Sequence, residues 1–148
     1  MSWKNLFIAR QAIYDRSLEV IGYELLYRHD DVDIAEFDDG TQASSEILTN
    51  LFMHVGIDQI TGSALSFVNV TDRFLIDEYR TPMFSEQTVL EVLEDVKPTE
   101  AVINGIVRLK KQGYRIALDD FRYADNLVPL LELADFVKCD VQVIDCLL

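Results

Sequence analysis

Five apolar stretches of this chain end in a polar side chain of the kind that binds cations or moves protons: Glu24, Asn69, Glu91, the pair Asp119–Asp120, and Lys138 with Asp140. All but Lys138 are oxygen donors. Hard divalent cations such as Mg²⁺, Mn²⁺ or Ca²⁺ take such ligands. Six acceptor side chains exceed what one Mg²⁺ recruits, which suggests two metals, able together to activate a water and stabilise a leaving oxygen in phosphodiester hydrolysis. Each residue also has a plainer reading. Glu24 could be an exposed acid on an alternating strand, Asn69 a turn or cap residue, Asp119–Asp120 a solvated strand end. Lys138 could simply pair with Asp140. Glu91 is the hardest to set aside, because Thr88-Val89-Leu90-Glu91-Val92-Leu93 is otherwise apolar and a charge there is costly unless paired or ligated. Taken jointly, the shared bias of the strand ends favours a site.

The elements that must position these residues follow from hydrophobic periodicity. Phe7–Ile13 and Val20–Tyr27 read as two extended runs around the turn signal Asp15-Arg16-Ser17, and residues 30–40 as an acidic surface loop. A helix is expected from Thr41 to about Val55, stopped by Gly56. Then come a strand over Ser63–Val70, a short helix capped by Thr71 or Asp72, a loop over Pro82–Ser85 and a strand over Thr88–Leu93. A helix opens at Pro98-Thr99-Glu100 and ends at Gly113. The strand Arg115–Leu118 follows, then a short helix over Asp125–Leu133 with Pro129 in its first turn, and a last strand over Ala134–Val141.

Strands alternating with helices imply parallel strands joined by right-handed crossovers, as in a (β/α) barrel or a doubly wound sheet. No glycine-rich G-x-G-x-x-G turn follows any strand, which favours the barrel. The expected fold is therefore α/β, a partial (β/α) TIM-type barrel, because a complete one needs about 200 to 250 residues. Residues 1–148 form one such unit, incomplete as a single chain. Its open sheet edge invites association, so a homodimer is expected.

The 148 residues suffice for one domain with its own core, and 49% hydrophobic content fits a folded chain. A formal charge of −13 argues against a nucleic-acid polymer as partner but not against an anionic substrate held through cations. No apolar run approaches the roughly 20 residues of a membrane helix, and the start Met-Ser-Trp-Lys-Asn lacks a signal-peptide core, so a cytoplasmic protein is expected. Cys139 and Cys146 suggest neither a disulfide framework nor a zinc site, and Cys139 reads as a small core residue.

At the strand ends the chain resembles the N-terminal portion of an EAL domain, the bacterial cyclic di-GMP phosphodiesterase family. The resemblance rests on Glu24-Leu25-Leu26-Tyr27-Arg28 (E-x-L-x-R), Asn69 in Phe67-Val68-Asn69-Val70, Glu91-Val92-Leu93-Glu94, Asp119-Asp120-Phe121 and Lys138-Cys139-Asp140, in that order. The context around Phe7–Ile13 and Gly22–Leu26 is most similar to EAL proteins that carry an HDOD domain. The resemblance implies that Glu24, Asn69, Glu91 and Asp119 ligate two Mg²⁺ or Mn²⁺ ions, with Asp120 completing the shell. It implies that Lys138 orients or deprotonates the attacking water and that Glu94 braces the loop after Asp120. Arg28 would contact a phosphate of cyclic di-GMP, and Gln11 would lie against the dinucleotide.

Two departures bear on activity. The family's D-D-F-G-T-G loop is here Asp119-Asp120-Phe121-Arg122-Tyr123-Ala124, without the glycines. The sequence also ends before counterparts of the family's later glutamates and glutamine strand, so these 148 residues alone are expected to turn over little or nothing. The competing expectations are a signalling phosphodiesterase, a degenerate EAL domain that binds a ligand or protein without turnover, and an assembly unit that pairs through its sheet edge.

Overall fold

A computed structural model of the chain describes residues 6–29, 56–77 and 85–140. Within them lie six strands: β1 (Leu6–Tyr14), β2 (Val20–His29), β3 (Leu65–Val70), β4 (Thr88–Val92), β5 (Arg115–Leu118) and β6 (Phe136–Val137). Their helices are α1 (Ile57–Thr61), α2 (Asp72–Ile76), α3 (Glu100–Lys111) and α4 (Val128–Leu133), the last preceded by a 3₁₀ turn at Asp125–Leu127. The strands form one sheet in chain order, antiparallel between β1 and β2 and parallel from β2 to β6.

The register assigns every strand residue to one of two faces, because side chains alternate along a strand and paired residues share a side. Val68, Val70, Leu90, Val92, Ile116 and Leu118 fall on one face and pack against Phe74 and Leu75 of α2, Val102, Ile106 and Leu109 of α3, and Leu130 of α4. Phe67, Val89 and Ala117 fall on the other with Ile13, Leu65 and Phe136, and among the described residues this smaller core has no helix in it. There the Phe67 and Phe136 rings meet edge to face with centroids 5.5 Å apart. Helices on one face and a second apolar face across the sheet make a barrel wall; a doubly wound sheet carries helices on both sides. The fold is α/β, a partial (β/α) barrel.

Local chemistry explains the helix ends. Thr99 Oγ1 accepts from the Val102 N–H and Thr71 Oγ1 from the Phe74 N–H, each at 3.3 Å, satisfying donors that a first turn leaves open. Gly105 lets α3 lie directly on α2, since a Cβ there would stand 1.9 Å from the Leu75 carbonyl oxygen. Pro129 sits in the first turn of α4, as expected.

The boundaries depart from expectation at several places. β3 begins at Leu65 and β4 ends at Val92, whereas α3 opens at Glu100 with Thr99 as its cap, as expected. The last strand is only Phe136–Val137 within the described residues. That brevity corrects the reading of Cys139, which is exposed just past the strand instead of buried in it. α1 was not expected; its five residues sit between Gly56 and Gly62, both at positive φ, and are too few to show a helical stripe. The helix expected over Thr41–Val55, the loop over 30–40 and most of Pro82–Ser85 lie outside the described residues.

Candidate metal centre at the strand ends

The same register that separates the two cores brings the polar residues together. Glu24 pairs with Phe67, Asn69 with Glu91, and Glu91 with Ala117, while Ala117 pairs with Phe136. Two residues beyond Ala117 and Phe136 come Asp119 and Lys138. Glu24, Asn69, Glu91, Asp119 and Lys138 therefore share the face of the smaller core, beside the apolar floor of Phe67, Val89, Ala117 and Phe136. They form a polar rim at the C-terminal ends of the parallel strands, where barrels place their chemistry.

The Lys138 ammonium is the hub. Its Nζ lies 2.9 Å from Glu24 Oε2 and 3.0 Å from Asp119 Oδ1, and it donates to Glu91 Oε1. Asn69 donates its side-chain amide to Glu24 Oε1 at 3.1 Å. Backbone bonds hold both ends of this arrangement: the Asp119 N–H donates to the Val92 carbonyl at 3.0 Å and the Lys138 N–H to the Leu118 carbonyl at 2.9 Å. One residue that sequence reasoning missed supports Lys138 from behind. Asp135 Oδ2 accepts from the Ile116 N–H at 2.9 Å and from Lys110 Nζ at 2.7 Å, fastening the chain that leads into β6. The signal for it was an acid directly before a strand, facing a helix that ends in Lys110-Lys111.

The electrostatics follow from three carboxylates sharing one ammonium. Glu91 is fully buried, and burial pushes its carboxyl up to about 7. The hydrogen bond from Lys138 pulls it down, and the neighbouring charges of Glu24 and Asp119 push it up again. Burial works against the charge on Lys138, but its hydrogen bonds to Glu91 and Glu24 outweigh this and hold the ammonium above lysine's ordinary value. Of the two roles implied for Lys138, orienting a water by donation suits this protonation state; taking a proton from it does not.

The remaining predicted residues lie around this hub. Asp120 is exposed and sits in the left-handed region at φ 44°. Repulsion from Asp119, then partial burial and the charges of Asp140 and Glu94, raise its pKa. Asp119, Asp120 and Glu94 border a cavity of about 360 Å³ walled by Val92, Val96, Leu118, Phe121 and Leu130, with Arg122 at its edge. Gln11 is exposed and pairs with Glu24 across the β1–β2 ladder, so it shares the rim's face. Arg28 occupies β2 opposite Phe7.

Two buried acceptors at the rim, Asn69 Oδ1 and Glu91 Oε2, have no hydrogen-bond partner among the described residues. A buried acceptor left unsatisfied costs about 1–3 kcal/mol, and lone pairs are what a cation takes. The donor set therefore fits a hard divalent ion. At Glu24 and Asp119 the spacing is that of an ammonium, about 3 Å from Nζ, against roughly 2.0–2.6 Å for Mg²⁺ or Ca²⁺ ligands, while the Glu91 oxygen lies closer. Accordingly, no group of three acid, histidine or cysteine side chains among the described residues is gathered at metal-binding distance.

No protein-family profile matches the chain. It is 38% identical over 142 residues to the uncharacterised protein YuxH of Bacillus subtilis, covering 92% of this chain and 34% of that protein. It is 29% identical over 136 residues to the cyclic di-GMP phosphodiesterase CdgJ of Vibrio cholerae, covering 91% of this chain and 32% of CdgJ. The chain thus spans about a third of the length of these relatives. Among solved structures it is similar to the Bacillus subtilis YkuI protein, which has an EAL domain and is in complex with substrate c-di-GMP and calcium. That match has a TM-score of 0.66 at 21% identity and covers 95% of this chain and 42% of YkuI.

Proposed function

The chain has the fold of the N-terminal portion of an EAL domain, and on that premise we propose that it serves bacterial cyclic di-GMP signalling as part of a phosphodiesterase-type site. The observation that carries the proposal is the convergence of Glu24, Asn69, Glu91, Asp119 and Lys138 on one rim, from five strands or strand ends and across as many as 114 residues of sequence.

In this reading Glu24, Asn69, Glu91 and Asp119 hold divalent ions, Mg²⁺ or Mn²⁺. Asp120, next to Asp119, would complete their shell. Such ions supply a Lewis acid and a water of lowered pKa. The protein's own contribution is positional. The apolar floor of Phe67, Val89, Ala117 and Phe136 keeps water from beneath the carboxylates, and the ladder bonds of Asp119 and Lys138 fix where their side chains start. Lys138, charged, donates to the attacking water and steadies it against the phosphate. Arg28 meets a substrate phosphate, Gln11 lies along the dinucleotide, and Glu94 steadies the turn after Asp120.

A second reading has a specific observation behind it. Asp120 is exposed on a left-handed backbone, and the following Phe121-Arg122-Tyr123-Ala124 lacks the glycines that would let this loop adapt around it. A domain so built would bind cyclic di-GMP, or a protein, without turnover. Calorimetry of cyclic di-GMP in Ca²⁺, followed by chromatography of linear product in Mg²⁺ and Mn²⁺, separates the two. Product that disappears in Glu24→Ala supports the phosphodiesterase, binding without product supports the module, and turnover retained in Glu24→Ala overturns the ligand assignment. Homodimerisation through the sheet edge at β6, where Val137 is exposed, is part of the proposal; a strict monomer in light scattering overturns it.

A further inference from the structure

The rim acids and Lys138 make demands on one another that go beyond naming ligands. Three of the four proposed ligands, Glu24, Glu91 and Asp119, each commit one oxygen to the same Nζ. A divalent ion using those oxygens needs them nearer one point than an ammonium does, and two cations cannot occupy that point together. We infer that Lys138 is the resident counter-cation of the site and that a divalent ion enters by exchange with its ammonium, so that metal binding and the position of Lys138 are coupled. The inference rests on the metal reading of the rim acids.

The fold allows this exchange without moving the sheet. The Lys138 backbone is pinned by its N–H bond to the Leu118 carbonyl, and the preceding Asp135 is tied to β5 through its own N–H to the Ile116 carbonyl at 2.8 Å. Asp135 Oδ2 returns the tie by accepting from the Ile116 N–H. The four-carbon lysine stem alone can then swing from the carboxylates toward the rim's opening, where an ammonium beside a metal-bound site would meet a water or phosphate oxygen. Asn69 Oδ1 and Glu91 Oε2, which have no partner among the described residues, are acceptors that the ammonium, held by Glu24, Glu91 and Asp119, leaves over. Exchange for an ion of higher coordination number would engage them.

Exchange makes Lys138 act in opposite directions on the fold and on the ion. Removing the ammonium leaves three carboxylates facing one another, which weakens the chain on its own. It also removes the competitor, which strengthens ion binding. A lysine that only oriented water, or only braced the fold, would not tighten the ion.

The test is calorimetric titration of MnCl₂ into the full 148-residue chain and its Lys138→Gln variant, with thermal melting of both in chelator. Lys138→Gln is expected to melt lower in chelator and to bind Mn²⁺ on the order of tenfold more tightly, the equivalent of one charge-assisted hydrogen bond released. Equal or weaker Mn²⁺ binding by the variant overturns the exchange while leaving the metal reading intact. Absence of Mn²⁺ binding in both proteins overturns the metal reading and the exchange with it. If the variant does not fold, the wild-type chain carries the test through the Lys138 ammonium signal in ¹⁵N nuclear magnetic resonance, which persists only while hydrogen-bonded and shielded. That signal is expected to vanish as Mg²⁺ saturates the site; its persistence at saturation overturns the exchange.

Discussion

Glu91→Gln isolates the charge at the centre of the site from its shape. Glu91 is fully buried in β4, and its carboxyl is raised from 4.5 to about 7, with burial the largest cause. Because the fold raises this pKa, it holds the proton more tightly than the unfolded chain does. The stability this group contributes is present in full below pH 4.5 and is lost as pH rises through about 7. The gap is worth about 3 kcal/mol at 1.36 kcal/mol per pH unit, a large share of the 5–15 kcal/mol typical of a domain. In chelator, the stability of wild type relative to Glu91→Gln should therefore fall by about 3 kcal/mol between pH 4.5 and pH 8. With a urea dependence of about 1.5 kcal/mol per molar, that is a relative shift in midpoint of about 2 M. Saturating Mn²⁺ should abolish the fall, because the ionised carboxylate becomes a ligand, and should do little for the variant. Parallel urea midpoints for the two proteins across this range would refute a buried, charge-strained Glu91.

Three further substitutions probe what positions the rim. Gly105→Ala drives a Cβ into the Leu75 carbonyl and should cost about 1–3 kcal/mol in thermal or urea melting; an unchanged midpoint would show that α3 does not press on α2 there. Asp135→Ala strips the Ile116 N–H of its side-chain acceptor and Lys110 of its partner, and should cost about 1–3 kcal/mol. Hydrogen exchange should then quicken at the Ile116 and Lys138 amides, and unchanged protection at both would remove Asp135 from its anchoring role. Thr99→Ala, which deletes the cap of α3, should cost about 1 kcal/mol in the same melts with no change in Mn²⁺ affinity, whereas weakened Mn²⁺ binding would mean that α3 reaches the site.

Where the chain could be read in one dimension, a local conflict was visible. Glu91 inside Thr88–Leu93 breaks an apolar run, and Lys138 does the same after Phe136-Val137, so both stood out as needing partners. Which partners they take depends on strand register, and that is set by packing on two faces. The sequence offers Asp140 as a neighbour for Lys138; the sheet delivers Glu24, 114 residues away, and Glu91, 47 residues away. Asp119 and Asp120 look equivalent as a pair, yet Asp119 is half-buried against Lys138 while Asp120 is exposed on a left-handed backbone. Cys139 looked buried because apolar neighbours extend the apparent strand beyond its two paired residues. α1 and Asp135 left no periodic trace, one too short to repeat and the other significant only for the amide it meets.

The most direct test of the account is the position of a bound ion. A crystal of the full chain soaked in MnCl₂ and measured at the manganese absorption edge should show an anomalous peak between Glu24, Asn69, Glu91 and Asp119, with Lys138 Nζ moved away from the carboxylates. A peak confined to other residues, or a rim still filled by the Lys138 ammonium at saturating Mn²⁺, would contradict it.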